Sequence, residues 1–232
     1  MKTNHFNWSN LFKEKNPGEF LAGDGTLWGE GQGPDNPGRI EWLKIGNQIR
    51  NTTTNSKKIK IGELGFGAAI DFQMWKNNGL LKSTPNSTIE YYGLDVTPEF
   101  CALAASNHPE MKVTLINGYD IPYHTHFFDC FYMRHVLEHQ ENYRWQLREV
   151  FRVTKENIII NFFIPLSDLD FDEIKYDDIF YHNKLSKKLF YKFCNKYGWE
   201  EERTVTHITE NSTDQVLILR RIRKPPTCFI TT

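Results

Sequence analysis

The sequence predicts an α/β fold: a Rossmann-like, seven-stranded, mostly parallel sheet with helices on both faces and an antiparallel hairpin at the edge. Three observations predict it. Apolar segments of strand length alternate with amphipathic segments of helical length between Lys58 and Ile164. The first strand runs straight into a glycine turn and a helix. The fifth strand, "NIIINFFI", is apolar enough to be buried on both faces, as in a parallel sheet covered by helices. A chain of 232 residues, 39% hydrophobic and 14% aromatic, suffices for one sizeable core.

From Asn16 to Gly38 the composition is rich in Gly, Pro and Asp around Leu27 and Trp28, which is loop chemistry. A cover over a site and a surface-wrapping arm are both open readings. "PGRIEWLKIGNQIRN" places Ile40, Leu43 and Ile49 near helical spacing behind Pro37, and polar "NTTTNSKK" ends that helix. "KIKIGELG" reads as a strand, "AAIDFQMWKNNG" as a helix closed by Gly79, and "TIEYYGLD" as a strand. "PEFCALAASNH" follows as a helix with Pro98 in its first turn, then the strand "KVTLIN", a turn with Pro122 and the strand "FFDCFYMR". "ENYRWQLREVFRVTK" carries Tyr143, Leu147, Val150 and Phe151 on one helical face ahead of "NIIINFFI". "KLSKKLFYKFCNKYG" buries Leu185, Leu189, Phe193 and Tyr197 on the same argument, and "RTVTHI" with "DQVLILRR" forms the closing hairpin. In such a sheet the site lies at the carboxyl ends of the strands.

"IGELGFGAAID" closes the first strand with Gly65 and Gly67, so backbone amides at a helix start face whatever binds there. A dinucleotide fingerprint asks for Gly or Ala at position 70, where the chain has Ile70. Glu63, at the mouth of the turn, would repel a diphosphate and suit a cation. Asp95, ending "YYGLD", stands where a carboxylate accepts both hydroxyls of a ribose. An adenosine ligand with positive charge meets both conditions, and S-adenosylmethionine is one.

The run "ELGFG", "GLD", "INGYDIPY", "FFDCFYMRHVLEH", "LREVFRVTKENIII" resembles, in order and spacing, the class I S-adenosylmethionine-dependent methyltransferases of the small-molecule subgroup, over Ile59 to Leu219. The resemblance implies that Glu63, Gly65 and Gly67 hold the methionine part of the cofactor and Asp95 the ribose. It implies an adenine border among Asn117, Gly118, Tyr119 and Asp120, and backbone of Arg134 and His135 beside the methionine part. Two departures are Phe66-Gly67-Ala68-Ala69, without a third glycine, and Asn117-Gly118, where an acid followed by Ala is frequent. The domains expected are an N-terminal arm and helix over 1–56, the arm a candidate lid, an S-adenosylmethionine-binding catalytic domain over 57–223, and a flexible tail over 224–232.

"RHVLEHQ" contains His-x-x-Glu-His, a zinc pattern when both histidines lie one turn apart on a helix. Here it follows an apolar strand and precedes the next helix, so no metal is expected. Methyl transfer to a hydroxyl benefits from a base, and histidine suits that task. His139 is the first candidate, His135 the second and His182 the third, with ordinary packing roles the alternative for each.

The chain has 28 Lys and Arg against 29 Asp and Glu, so no overall field draws it to nucleic acid. The acids Asp168, Asp170, Asp172, Glu173, Asp177 and Asp178, between the fifth strand and the next helix, argue further against a polyanionic acceptor. A cationic or neutral polar small molecule, such as a sugar or an amine, is the expected acceptor. Cys101, Cys130, Cys194 and Cys228 form no C-x-x-C pair, and no apolar run has the length of a signal peptide or membrane span. Those facts predict a soluble cytoplasmic protein. An NAD-type oxidoreductase and a non-catalytic methyltransferase-like binding module are the alternative readings.

Overall fold

The computed structural model describes residues 35–52, 57–85, 87–118, 120–176, 181–208 and 213–222. The expected lid, Tyr119, Asp177, Asp178 and the tail from 224 lie outside the described residues. The elements in order are α1 (Pro37–Thr52), β1 (Lys57–Leu64), α2 (Ile70–Asn77), β2 (Ser87–Asp95), α3 (Pro98–Asn107), β3 (Lys112–Leu115) and β4 (Phe128–Arg134). A 3-10 turn (Leu137–His139), α4 (Tyr143–Val153), β5 (Thr154–Phe162), α5 (Lys187–Lys196), β6 (Trp199–Ile208) and β7 (Thr213–Arg221) complete them.

All seven strands form one sheet in the order β3-β2-β1-β4-β5-β7-β6. The first five are parallel, and β7 runs antiparallel between β5 and β6. Chain order reverses between β1 and β4, so the crevice above their carboxyl ends is where a ligand binds in such a sheet. Trp42, Phe72, Trp75 and Phe100 from α1, α2 and α3 pack on one face. Leu147, Val150, Phe190 and Cys194 from α4 and α5 pack on the other.

Local chemistry sets the helix starts. Asn36 caps α1, its Oδ1 accepting from the amides of Gly38 at 2.9 Å and Arg39 at 3.3 Å, with Pro37 opening the helix. Ser186 caps α5 by accepting from the Leu189 amide at 3.3 Å. In α2 the start is later than the sequence predicts: Ala69 takes a left-handed φ of 56°, so the helix begins at Ile70. The inward faces of two helices also differ from expectation. In α1 the buried apolar residues are Trp42 and Ile45, while Ile40 is 39% exposed. In α5 they are Phe190 and Cys194, with Leu189 and Phe193 half-buried. Helix α4 buries Tyr143, Leu147, Val150 and Phe151 as the periodicity predicts.

Cys101, Cys130 and Cys194 are buried free thiols. Among the described residues no helix is long and apolar enough to cross a membrane.

Candidate active site

Strand ends build the site. A cleft of about 1050 Å³, counted out to its open mouth, lies over the carboxyl ends of the parallel strands. Its walls include the β1 turn from Leu64 to Ala68, Asp95 to Thr97 after β2, Ile116 after β3, and Arg134 to Val136 after β4. His139 and Gln140 close one side, and Arg39, Ile70, Asp71, Phe100 and Gln146 reach in from helices.

Gly65 has a φ of 69° and Gly67 one of 52°, a turn that costs other residues backbone strain. A side chain on Gly65 would also stand 2.7 Å from the Val136 Cγ2 atom. The turn is tied to β2 through Asp95, whose Oδ2 accepts from the Gly67 amide at 3.0 Å and whose Oδ1 accepts from the Thr97 amide at 2.9 Å. Burial raises the Asp95 pKa, opposed by those same amides.

Of the residues read from sequence as cofactor contacts, Gly65, Gly67, Asp95, Arg134 and His135 line the cleft. Glu63 is not among the lining residues: it is 2% exposed and accepts from the Tyr91 hydroxyl at 2.9 Å. Burial pushes its carboxyl up to about 8, with the Asp71 charge adding to the effect. Both effects favour the protonated carboxyl over the carboxylate. Asn117, Gly118 and Asp120 form a neighbouring turn, the Asn117 Oδ1 accepting from the Asp120 amide at 3.1 Å, while Ile116 is the residue on the wall.

Sequence reasoning missed Arg39, Asp71 and Gln146. Arg39 of α1 forms an ion pair with Oδ2 of Asp71 in α2. Oδ1 of Asp71, Nε and Nη2 of Arg134 and Nε2 of Gln146 are buried with no hydrogen-bond partner among the described residues. Burial and the neighbouring Arg39 lower the Arg134 pKa. Unpartnered buried charges are costly unless a ligand completes them. A guanidinium suits a carboxylate and a carboxylate oxygen suits an ammonium, so this end of the cleft fits an amino acid moiety. Asp95 fits a ribose, and Val96, Phe100 and Ile116 supply apolar surface for a base. Those donor and acceptor types match S-adenosylmethionine.

The three candidate histidines gather around Phe163. The ring of His135 is 5.1 Å from it, that of His139 5.1 Å and that of His182 6.1 Å. Only His135 and His139 line the cleft. His135 has a left-handed φ of 52° and its Nε2 lies 3.1 Å from Asp214 Oδ1. Burial, helped by the Arg134 charge, pushes its pKa down to about 3. His139 Nδ1 donates to the Tyr181 carbonyl at 2.6 Å. The His-x-x-Glu-His stretch is therefore a strand exit and a 3-10 turn, not a helical pair of metal ligands.

Of the acids in the connection after β5, Asp170 and Asp172 are paired with cations. Asp172 pairs with Arg144 and accepts from the Ser186 amide at 2.8 Å, and Asp170 pairs with Lys188 at 2.6 Å. Those two acids carry little weight against a polyanion.

Residues 63–160 match the family model of a methyltransferase domain. That match covers less than half of the chain, which over those residues is similar to a methyltransferase domain. Solved structures of the same fold include magnesium protoporphyrin IX methyltransferase from Synechocystis PCC 6803, 13% identical, TM-score 0.62, covering 93% of either chain. Burkholderia thailandensis 1,6-didemethyltoxoflavin-N1-methyltransferase is 12% identical, TM-score 0.62, over 93% of this chain and 89% of that chain. The [4+2]-cyclase SpnF is 12% identical, TM-score 0.62, over 94% of both. At such identities the likeness carries the fold alone. No curated protein matches this chain in a sequence search.

Proposed function

We propose that this chain is a class I S-adenosylmethionine-dependent methyltransferase that methylates an oxygen or nitrogen of a small polar acceptor, such as a sugar or an amine, with His139 as the base. When bound, S-adenosylmethionine supplies a methyl group on a sulfonium, whose displacement depends mainly on alignment and exclusion of water. Asp95 would hold its ribose, and Arg134 with Asp71 its carboxylate and ammonium. Two of the structural neighbours are, by name, methyltransferases of small molecules, which supports the acceptor class.

The observation that carries the reading is the His139 imidazole on the cleft wall. Because Nδ1 donates to a carbonyl, the neutral ring keeps its lone pair on Nε2, the atom that takes a proton from an acceptor O–H or N–H. His135 is second: its Nε2 is engaged by Asp214. His182, whose ring is 5.7 Å from that of His139, is third. The N-terminal arm is proposed as the cover of the cleft, and unchanged turnover in a chain beginning at Asp35 would dismiss that part.

The test is a screen of small polar acceptors with methyl-labelled S-adenosylmethionine, repeated with His139→Asn. Label should enter a hydroxyl or an amine, and the variant should lose on the order of a hundredfold in rate. Both proteins should gain about 2.7 kcal/mol of stability from S-adenosylhomocysteine at 100 times its Kd, and none from NADH. Label found only in protein or nucleic acid overturns the acceptor class; an undiminished variant overturns the base.

A further inference from the structure

We infer that Glu138 is the positioning residue for His139, holding together the two chain segments that orient its ring. The functional meaning rests on the reading of His139 as the base; the geometry does not. Glu138 is 0% exposed. Its Oε1 accepts from the amides of Phe163 at 2.8 Å and Ile164 at 3.5 Å, where the chain leaves β5. Its carbonyl accepts from the Asn183 amide at 2.9 Å, and the Asn183 side chain donates to the Gln140 carbonyl at 2.6 Å. One residue thus fastens the 3-10 turn both to the β5 exit and to residues 181–183.

Those two segments supply the described contacts of the His139 ring. Phe163 packs on it from the β5 exit, while the Tyr181 carbonyl and the His182 ring meet it from the other segment. A shift of the 181–183 segment takes away the carbonyl that selects the Nδ1–H tautomer, and a shift of the β5 exit removes the Phe163 ring that holds the imidazole toward it. Core packing alone does not explain a carboxyl here, because a buried polar group costs more than an apolar one of the same shape unless its hydrogen bonds are used. Here Oε1 is used twice, on amides that have just run out of strand partners, while Oε2 is buried with no partner among the described residues. Burial pushes the Glu138 carboxyl up to about 8, so glutamine mimics the protonated acid.

The experiment is a long-range proton–nitrogen NMR spectrum of histidine-labelled full-length protein, with the His139 signals assigned from their loss in His139→Asn. Wild type and Glu138→Gln should both show the Nδ1–H tautomer of His139. Glu138→Ala should lose that signature and show Nε2–H or an average, while still binding S-adenosylhomocysteine. If the alanine variant fails to fold, Glu138→Asp, whose carboxyl falls one methylene short of the two amides, carries the same expectation. A folded Ala or Asp variant that keeps the wild-type tautomer overturns the inference, as does a Gln variant that loses it. Because the readout is a tautomer, its failure is distinct from failure to find a methyl acceptor.

Discussion

The imidazole of His135 and the carboxylate of Asp214, 79 positions apart in the chain, meet at 3.1 Å and tie the exit of β4 to β7. Asn36, the cap of α1, donates to the same carboxylate at 2.9 Å, so three distant elements share one buried acceptor. Burial and the Arg134 charge lower the His135 pKa from 6.5 to about 3. For Asp214 burial alone would raise it, but the His135 and Asn36 hydrogen bonds win and bring it to about 2. In both cases the unfolded chain binds the proton first, so stability falls as pH drops from 6.5 toward 3, and further from 3.8 toward 2. Urea midpoints measured from pH 7 to pH 4 should decline in wild type and decline less in His135→Asn. Equal slopes would refute the assignment. Asp214→Ala, which strands both donors, should lose about 2–4 kcal/mol at pH 7.

Glu63 and Glu138 act in the opposite sense. Burial, reinforced at Glu63 by the Asp71 charge, raises each from 4.5 to about 8. Between those values the folded chain keeps a proton that the unfolded chain has released, so stability falls as pH rises through the window. Glu63→Gln removes one such proton and still accepts from Tyr91. Its stability should therefore vary less between pH 5 and pH 8 than that of wild type, as read by chemical denaturation; a parallel pH dependence would count against a protonated Glu63.

Gly38 lies directly over Asn161, so a Cβ there would stand 1.9 Å from the Asn161 Nδ2 atom. Asn161 is 0% exposed and both its polar side-chain atoms lack a partner among the described residues. Gly38→Ala should cost about 1–3 kcal/mol through overpacking. Combining it with Asn161→Ala should restore most of that loss, since the second change removes the obstacle. A double-mutant cycle that shows simple additivity would mean that α1 does not sit on β5 as described.

What the sequence shows of this molecule is mostly what is local. Alternating strand and helix patterns, Pro37 and Pro98 at helix starts, and the uniformly apolar fifth strand reflect backbone and burial rules that act within a few residues. Helix rotation does not. The apolar spacing of α1 includes Ile40, yet Trp42 is the buried residue because its ring stacks on Tyr132 at 4.3 Å and meets Trp75 at 4.6 Å. Ala69 shows the same limit, since its left-handed backbone is set by the turn it closes. The site divides likewise: Gly65, Gly67, Asp95, Arg134, His135 and His139 are at or just beyond strand ends, where the fold class alone predicts a crevice. Arg39, Asp71 and Gln146 reach the same cleft from three helices, and no spacing within the chain signals that they meet. Glu63 shows the same limit, as only the packed structure shows its side chain buried against the Tyr91 hydroxyl.

Arg134 gives the sharpest separation of stability from binding. Its Nε and Nη2 are buried without partners among the described residues, beside a second arginine whose counter-charge, Asp71, it does not share through a hydrogen bond. Such a charge weakens the unliganded fold and becomes favourable only when an anion arrives. Arg134→Met keeps much of the volume and removes the charge. Without ligand the variant should be more stable than wild type, on the order of 1 kcal/mol or more. It should bind S-adenosylhomocysteine about ten- to a hundredfold more weakly, the worth of a lost charge-assisted hydrogen bond. The control is 5′-methylthioadenosine, which carries the same adenosine but no carboxylate and should bind both proteins alike. Calorimetric titration of the four combinations decides the matter: equal losses for both ligands would show that the substitution deforms the whole cleft, and an unchanged affinity for both would show that Arg134 meets no carboxylate.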